Sequence, residues 1–198
     1  MSFGDDAKKP AETNPNDLPN VRAFQDEFTR QYLQSTEETR PGYYKFLSGT
    51  GRYEMDFPAE GLIDENGYFR KENAIEDFMV SVKLNNGEML ITTSYNVVRN
   101  KGYIDVHLER IINSTGEKLT FEEIQYEDRI IYFTEYYLDE IDKYYIAYIQ
   151  NKVDSGGLEL DFIIDSNVDI DDSDLNEEIK NILQSVKFFN NNEKVNDK

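Results

Sequence analysis

Apolar residues first recur at helical spacing near the beginning of the chain. Four of them follow one another at intervals of three or four positions: Val21, Phe24, Phe28 and Tyr32. Asn20, a good helix N-cap residue, precedes this group, and Pro41 and Gly42, which end helices, follow it. The pattern therefore predicts a short amphipathic helix over residues 20–36.

The spacing then changes to alternation, which is typical of half-buried strands. In the first such stretch Tyr53, Met55 and Phe57 share one side, charged residues take the other, and Pro58 ends the pattern. Further strands are predicted over residues 77–84, 88–98, 103–112, 129–138, 144–150 and 158–164. Turn residues separate neighbouring runs, as at 85–87 (Asn-Asn-Gly), so we expect antiparallel pairing.

Two connecting segments carry less regular patterns. Residues 59–73 are rich in turn residues and predict at most a short ribbon near Tyr68 and Phe69. Residues 117–128 are acidic and predict one helical turn at 120–124, with Thr120 as its N-cap.

The end of the chain carries the strongest helical pattern. Its apolar stripe consists of Leu175, Ile179, Ile182, Leu183 and Val186. Asp172 or Ser173 can cap the helix. The order of elements is thus helix, about seven strands, helix. This order predicts an α+β fold in which an antiparallel sheet of six or seven strands packs against an N-terminal and a C-terminal helix.

Composition divides the chain into three parts. Residues 1–19 hold three of the five prolines and almost no apolar residues, which is typical of a disordered polar tether. Residues 20–189 form the predicted single domain, and residues 190–198 a disordered polar tail. No apolar run of about 18 residues occurs, so we expect no membrane-spanning segment in this sequence.

The overall charge and two rare residue types exclude several functions. The formal net charge of −19 repels nucleic-acid phosphates and anionic lipid headgroups, so we expect no nucleic-acid partner. The chain has no cysteine, which excludes disulfides, thiolate zinc sites and a cysteine nucleophile. It has one histidine, which excludes a histidine-rich metal centre.

Three segments together resemble a known family: GRYEMDFPAEG at 51–61, the tyrosine-rich meander at 130–164, and LNEEIKNILQSVKF at 175–188. They are similar to the PsbP-like, Mog-type α/β/α sandwich, and with its polar lead the chain resembles the mature part of a small Bacillus-type surface lipoprotein. The resemblance implies a lipid-modified cysteine where Met1 now stands, and attachment outside the cell membrane of a Gram-positive bacterium. It implies no catalytic residue and no cofactor.

Tyrosines concentrate in two adjacent predicted strands: Tyr132, Tyr136, Tyr137, Tyr144, Tyr145 and Tyr148. Alternation places them on both faces of this hairpin, which is more aromatic area than a sheet with one wet side needs. One interpretation is that both faces are covered and every ring is core. The other is a tyrosine-rich groove that binds a protein, a peptide or a small apolar ligand.

An acidic loop before the last helix is a candidate calcium-binding site. Asp165, Asn167, Asp169 and Asp171 present oxygen atoms at alternate positions, as a low-affinity extracellular calcium site would. Neither register of the EF-hand pattern fits, because Ile170 or Asp172 falls where glycine is required. The alternative is an ordinary solvated loop between a strand and a helix.

His107 is the remaining candidate for chemistry. The predicted strand at 103–112 places it on the wet side with Asp105 and Glu109, opposite the apolar residues. Neighbours two apart on a strand point the same way and do not form a catalytic triad by spacing alone. We therefore expect a partly exposed surface histidine whose pKa is raised by its acidic neighbours.

These observations support three functional hypotheses in decreasing order. The first is a non-enzymatic, lipid-anchored binding domain outside the cell. The second is an acidic cytoplasmic immunity or inhibitor protein that blocks a basic toxin or nuclease through its charge of −19. The third is a hydrolase that uses His107.

Overall fold

Two antiparallel β-sheets contain most of the regular secondary structure in the computed structural model, which describes residues 9–99, 101–138, 142–165, 168 and 170–189. The strands are β1 (Leu33–Arg40), β2 (Tyr43–Leu47), β3 (Tyr53–Pro58), β4 (Gly61–Ile63), β5 (Phe69–Lys71), β6 (Ile75–Leu84), β7 (Gly87–Asn96), β8 (Glu122–Gln125), β9 (Arg129–Leu138), β10 (Asp142–Asn151), β11 (Gly157–Ile164) and β12 (Lys187–Phe188). The helices are α1 (Arg22–Gln25), α2 (Glu27–Arg30), α3 (Ile104–Thr115) and α4 (Asp172–Ser185). Short 3₁₀ turns lie at Pro10–Glu12, Pro15–Asp17 and Lys101–Tyr103.

The two sheets differ in size. The small sheet has the strand order β1-β2-β3-β12. The large sheet has the order β4-β6-β7-β11-β10-β9-β8, and β5 also pairs with β6. Most neighbours in the large sheet follow one another along the chain, but β7 pairs with β11, so α3, β8, β9 and β10 all lie between these two partners in sequence.

The main core lies between the small sheet and one face of the large sheet, which we call the inner face. Aromatic rings bridge the two sheets: the ring centroids of Phe46 and Phe78 are 5.6 Å apart, and those of Tyr53 and Tyr95 are 5.5 Å apart. Helix α4 adds its apolar stripe to the same core. Arg129 of β9 donates to the carbonyl of Gln184 at 2.7 Å, which fixes the end of α4 over the large sheet.

The opposite face of the large sheet, which we call the outer face, is partly covered by α3. A second, smaller apolar cluster forms there around Ile111, Ile146 and Tyr148. The sheet is therefore buried on both sides along its centre, although the two sides differ in how closely they are packed.

The predicted α+β sandwich is wrong. The structure is mostly β, with twelve strands among the described residues arranged in two sheets rather than one sheet of six or seven strands against two helices. The PsbP-like arrangement implied by the resemblance is not confirmed. The predicted helix at 20–36 is instead two four-residue helices followed by β1. Asp26 between them is extended, at φ −84° and ψ 124°, and its side chain accepts a hydrogen bond from the Thr29 amide at 2.7 Å.

The predicted strand at 103–112 is also wrong, because this segment is helix α3. Its less exposed residues fall at intervals of three and four positions: Ile104, Leu108, Ile111 and Thr115. In the predicted strand, Val106 alternates with polar residues and lies on the apolar side with Ile104 and Leu108, but in the structure it is 58% exposed. Gly116 ends the helix in the left-handed conformation at φ +74°, which glycine adopts readily. The helical turn predicted at 120–124 is likewise replaced by strand β8.

Several other predictions are confirmed. The runs at 52–57, 77–84, 88–98, 129–138, 144–150 and 158–164 are strands, and the last apolar stripe is helix α4. The N-cap of α4 is Asp171, one residue earlier than predicted, and its carboxylate accepts a hydrogen bond from the Ser173 amide at 2.8 Å. The segment at 59–73 holds the short strands β4 and β5.

The chain before α1 contacts the domain within the residues that the structure describes. Leu18 is 7% exposed and belongs to the main core, and Pro10 is buried. Both lie in the stretch predicted as a tether, whereas the predicted tail at 190–198 lies outside the described residues. Among the described helices, none has the length and apolar character needed to cross a membrane.

A buried carboxylate holds the turn between β2 and β3. Glu76 of β6 has 0% exposure, and it accepts hydrogen bonds from the Gly49 amide at 2.7 Å and from the Tyr68 hydroxyl at 2.7 Å. The Thr50 amide donates to its other oxygen at 3.4 Å. Burial raises the pKa of Glu76 despite these donors. The carboxylate thereby links the small sheet to the large one.

We predict that Glu76→Ala lowers the free energy of unfolding by about 2 kcal/mol, because it leaves buried amide and hydroxyl donors without an acceptor. Urea denaturation measures the change, and Glu37→Ala on the exposed part of β1 is the control. A loss below about 0.5 kcal/mol, the size typical of surface substitutions, would contradict the structural role of Glu76.

Candidate functional site

The outer face of the large sheet brings polar and aromatic side chains together in rows. Antiparallel register places residues of β7, β11 and β10 opposite one another. Read across these strands, three neighbouring rows are Ser94–Glu159–Tyr148, Thr92–Asp161–Ile146 and Leu90–Ile163–Tyr144. Because Glu159 and Asp161 are two apart on one strand, their carboxyl groups share this face.

A cavity of about 280 Å³ lies between this face and the C-terminal half of α3. We call it the α3 cavity. Ile111 of α3 and Ile146 and Ile163 of the sheet provide apolar wall. Tyr136 and Tyr144 provide aromatic wall, and their rings are stacked with centroids 5.1 Å apart. One part of the cavity wall is thus apolar.

Five polar residues complete the lining: Thr92, Ser114, Thr115, Glu159 and Asp161. Two of their hydroxyl groups already donate to the helix backbone. Ser114 donates to the carbonyl of Ile111 at 2.8 Å, and Thr115 donates to that of Ile112 at 3.0 Å. The Thr115 oxygen also accepts a hydrogen bond from the Glu117 amide at 3.2 Å. The Ser114 oxygen and the carboxylates can accept hydrogen bonds from a ligand.

Glu159 is neutralised by two arginines. Its carboxylate forms ion pairs with Arg110 of α3 and with Arg99, whose Nη2 is 3.4 Å away. Arg99 also donates to the carbonyl and the hydroxyl of Ser94, so its position is fixed by the sheet. Neither arginine lines the α3 cavity. The negative charge of Glu159 is therefore balanced from outside the cavity.

Asp161 has no such compensation. Its Oδ1 atom is buried and finds no hydrogen-bond donor within the described part of the chain. Burial, together with the nearby charge of Glu159, raises the pKa of Asp161 to about 7, although Arg110 and Arg99 act in the opposite direction. At neutral pH a substantial fraction of the molecules therefore carries an unpaired carboxylate at the cavity wall.

His107 lies near Glu159 but is not among the residues that line the α3 cavity. It is on α3, with its ring centroid 5.3 Å from that of Tyr148, and its Nε2 atom is buried without a hydrogen-bond partner among the described residues. Burial lowers the pKa of His107, and the positive charges of Arg99 and Arg110 lower it further. The predicted raised pKa is wrong, because the helix carries His107 away from its acidic sequence neighbours and toward two arginines.

The predicted tyrosine groove is divided by the sheet. Four of the six tyrosines lie on the outer face: Tyr132, Tyr136, Tyr144 and Tyr148. Tyr136 and Tyr144 line the α3 cavity, whereas Tyr148 is fully buried under the helix. Tyr145 belongs to the main core, where it stacks on Phe133. Tyr137 is 51% exposed at the edge and donates to Asp172 at 3.2 Å.

The sequence pattern does not single out Arg99, Arg110, Glu159 or Asp161 as site residues. Alternation over 158–164 predicts that Glu159 and Asp161 share the solvated side of the last strand, opposite its apolar residues. A helix predicted at 104–115 would have supplied the missing signal, because a helix over that face removes its carboxylates from water.

Two of the four residues proposed for calcium, Asp165 and Asp171, lie within the described structure. Asp171 accepts hydrogen bonds from the amide and hydroxyl of Ser173, which lower its pKa, so its oxygen serves as a helix cap. Asp165 lies near Lys143, whose ammonium contacts Asp172 at 3.1 Å. Asn167 and Asp169 lie outside the described residues. Across the described ranges, no group of three or more histidine or acidic side chains could hold a metal ion.

The raised pKa of Asp161 makes stability depend on pH in a defined direction. The folded pKa of about 7 lies above the value of 3.8 for an ordinary aspartate. The favourable contribution is therefore complete below pH 4 and is lost as the pH rises through 7. We predict that Asp161→Asn raises the free energy of unfolding at pH 8 by on the order of 2 kcal/mol and gives no gain at pH 4.

Urea denaturation at the two pH values measures this difference, and Asp105→Asn on the exposed side of α3 is the matched control. Equal effects of Asp161→Asn at both pH values would show that its carboxyl group is not desolvated.

Comparison with known proteins shows which family the chain belongs to. The model of the family described as "Putative lipoprotein YvcA" matches residues 19–187. A protein of Bacillus subtilis (strain 168) with the same description is 50% identical over 56 residues, which are 28% of this chain and 23% of that relative. The aligned part thus spans about a quarter of that relative, and no solved structure matches the chain. Because the family match extends over most of the sequence, the chain belongs to this lipoprotein family.

Proposed function

We propose that this protein is a non-enzymatic binding domain, held outside the cell by a lipid anchor, that takes a small ligand into the α3 cavity. The observation that carries the binding function is Asp161, whose Oδ1 atom lacks a hydrogen-bond partner among the described residues, at the wall of a partly apolar cavity. The observation that supports the location is membership of a lipoprotein family. These two parts are independent and are tested separately.

The proposed location, outside the cell membrane, goes one step beyond the description of the family as a lipoprotein family. A lipoprotein of a Gram-positive bacterium is attached through a lipidated cysteine of its precursor, and the same attachment is proposed for this chain. A protein on the outer surface of the cell membrane cannot act as a cytoplasmic immunity protein. The family membership therefore favours the first hypothesis over the second.

The case for binding comes from packing. The inner face of this sheet is covered by a continuous cluster of buried side chains. On the outer face, α3 leaves about 280 Å³ open beside buried aromatic and aliphatic side chains. A concave apolar site with a few convergent polar groups is the usual form of a small-molecule site.

The arrangement favours binding over catalysis. A general acid and base must both reach a substrate within hydrogen-bond distance. Glu159 is held by two arginines, and His107 packs against Tyr148 and does not line the cavity. Among the described residues that line the α3 cavity, Asp161 is the carboxyl group without an ion-pair partner, which suits it for holding a ligand in place.

The location predicts where the native gene product is found. In cells that express the complete native gene, we expect the protein in the membrane fraction and sensitive to protease added to intact protoplasts. Immunoblotting of cell fractions measures both properties, with a cytoplasmic enzyme as the control for lysis. Recovery of the protein only in the cytosol would contradict the proposed anchor.

The binding site predicts the effect of blocking the cavity. We expect n-hexanol to bind at roughly millimolar affinity and to shift the methyl NMR signals of Ile111, Ile146 and Ile163. Ser114→Trp should abolish these shifts, because Ser114 lines the cavity. Asn113→Trp, at an exposed position outside the lining, should preserve them. Shifts that persist in Ser114→Trp, or that spread evenly over the protein, would contradict the proposed site.

A further inference from the structure

We infer that the ligand of the α3 cavity is an organic cation, a primary ammonium group on a small apolar body, whose ammonium pairs with the carboxylate of Asp161. This inference rests on the proposed function and specifies the chemistry of its ligand. It follows from three properties of the cavity: its charge, its balance of hydrogen-bond donors and acceptors, and its aromatic wall.

The charge of the lining has one sign. Glu159 and Asp161 are the acidic residues in the wall, and no lysine, arginine or histidine is among the lining residues of the described structure. Arg99 and Arg110 already form ion pairs with Glu159 from outside the wall. An anionic ligand would meet Asp161 without a positive partner. A cation would supply the charge that the site lacks.

The hydrogen-bonding groups also call for donors from the ligand. The Asp161 Oδ1 atom is buried and lacks a donor within the described residues. The hydroxyl hydrogens of Ser114 and Thr115 are used by backbone carbonyls, which leaves the Ser114 oxygen as an acceptor, while the Thr115 oxygen already accepts from the Glu117 amide at 3.2 Å. Leaving a buried acceptor unsatisfied is costly, and an ammonium group carries three N–H donors. A primary ammonium can donate hydrogen bonds to Asp161 and Ser114, which a quaternary ammonium cannot.

The remainder of the wall fits an apolar body next to a cation. Tyr136 and Tyr144 present a stacked pair of rings, and aromatic faces attract alkylammonium groups. Ile111, Ile146 and Ile163 offer aliphatic contact for the attached chain. The volume of about 280 Å³ limits the ligand to a small molecule.

The test compares two probes of equal length, n-hexylamine and n-hexanol, by calorimetry at pH 8 and by the methyl shifts of Ile111, Ile146 and Ile163. We expect the wild-type protein to bind n-hexylamine at least tenfold more tightly than n-hexanol. Asp161→Asn should remove this preference while retaining n-hexanol binding. Asp105→Asn changes the net charge equally at an exposed position outside the lining, and it should keep the preference.

A pH series adds a second readout. The groups around Asp161 that are charged or titratable are Glu159, Arg99, Arg110, His107, Tyr136 and Tyr144. An alkylammonium keeps its proton up to a pH of about 10. Amine affinity should therefore rise about tenfold between pH 5 and pH 8 as Asp161 ionises, while n-hexanol affinity does not rise. The rise should persist in His107→Asn and disappear in Asp161→Asn.

The outcomes separate the two proposals. Equal binding of both probes at the three isoleucines would overturn the cationic ligand but leave the cavity as a binding site. Stronger n-hexanol binding below pH 7 would identify a protonated Asp161 as a donor to a neutral ligand, and it would also overturn the inference. If neither probe moves the isoleucine signals, the proposed function itself fails.

Discussion

The structure depends on how one strand is covered on both sides. Strand β11 presents an apolar inner side to the main core and two carboxyl groups, Glu159 and Asp161, on its outer side. When α3 packs over that outer side, both groups lose water, and the desolvation of a carboxylate is expensive unless it is paired. Arg99 and Arg110 offset this for Glu159. Asp161 receives no equivalent partner among the described residues, and its pKa rises.

The two faces of the large sheet consequently serve different purposes. The inner face meets the small sheet and α4 in a close-packed core, in which Phe46 and Phe78 are in direct ring contact. The outer face is covered by one amphipathic helix that packs on Ile146 and Tyr148 but leaves the α3 cavity beside them. Stability comes from the first face, which allows the second to retain a destabilising carboxyl group. The proposed binding function uses the outer face, while the inner face supplies the stability of the scaffold.

The sequence predicts local patterns better than their assembly. Strands β9 to β11 and helix α4 were predictable because alternation, turn residues and caps all agree there. Helix α3 was not, because Ile104, Val106 and Leu108 alternate over a short distance while the helical spacing extends to Thr115. The division into two sheets rests on pairings distant in sequence, such as β12 with β3. The burial of Asp161 could not be predicted either, because it depends on which element, distant in sequence, covers β11.

The most direct measurement is a titration of the Asp161 side-chain carboxyl by ¹³C NMR in the ligand-free protein. The burial of this group under α3 predicts a midpoint of about 7. A midpoint near 3.8, the ordinary value for aspartate, would show that water reaches the carboxylate freely. In that case α3 would not enclose the cavity as described, and the account of the binding site would be contradicted.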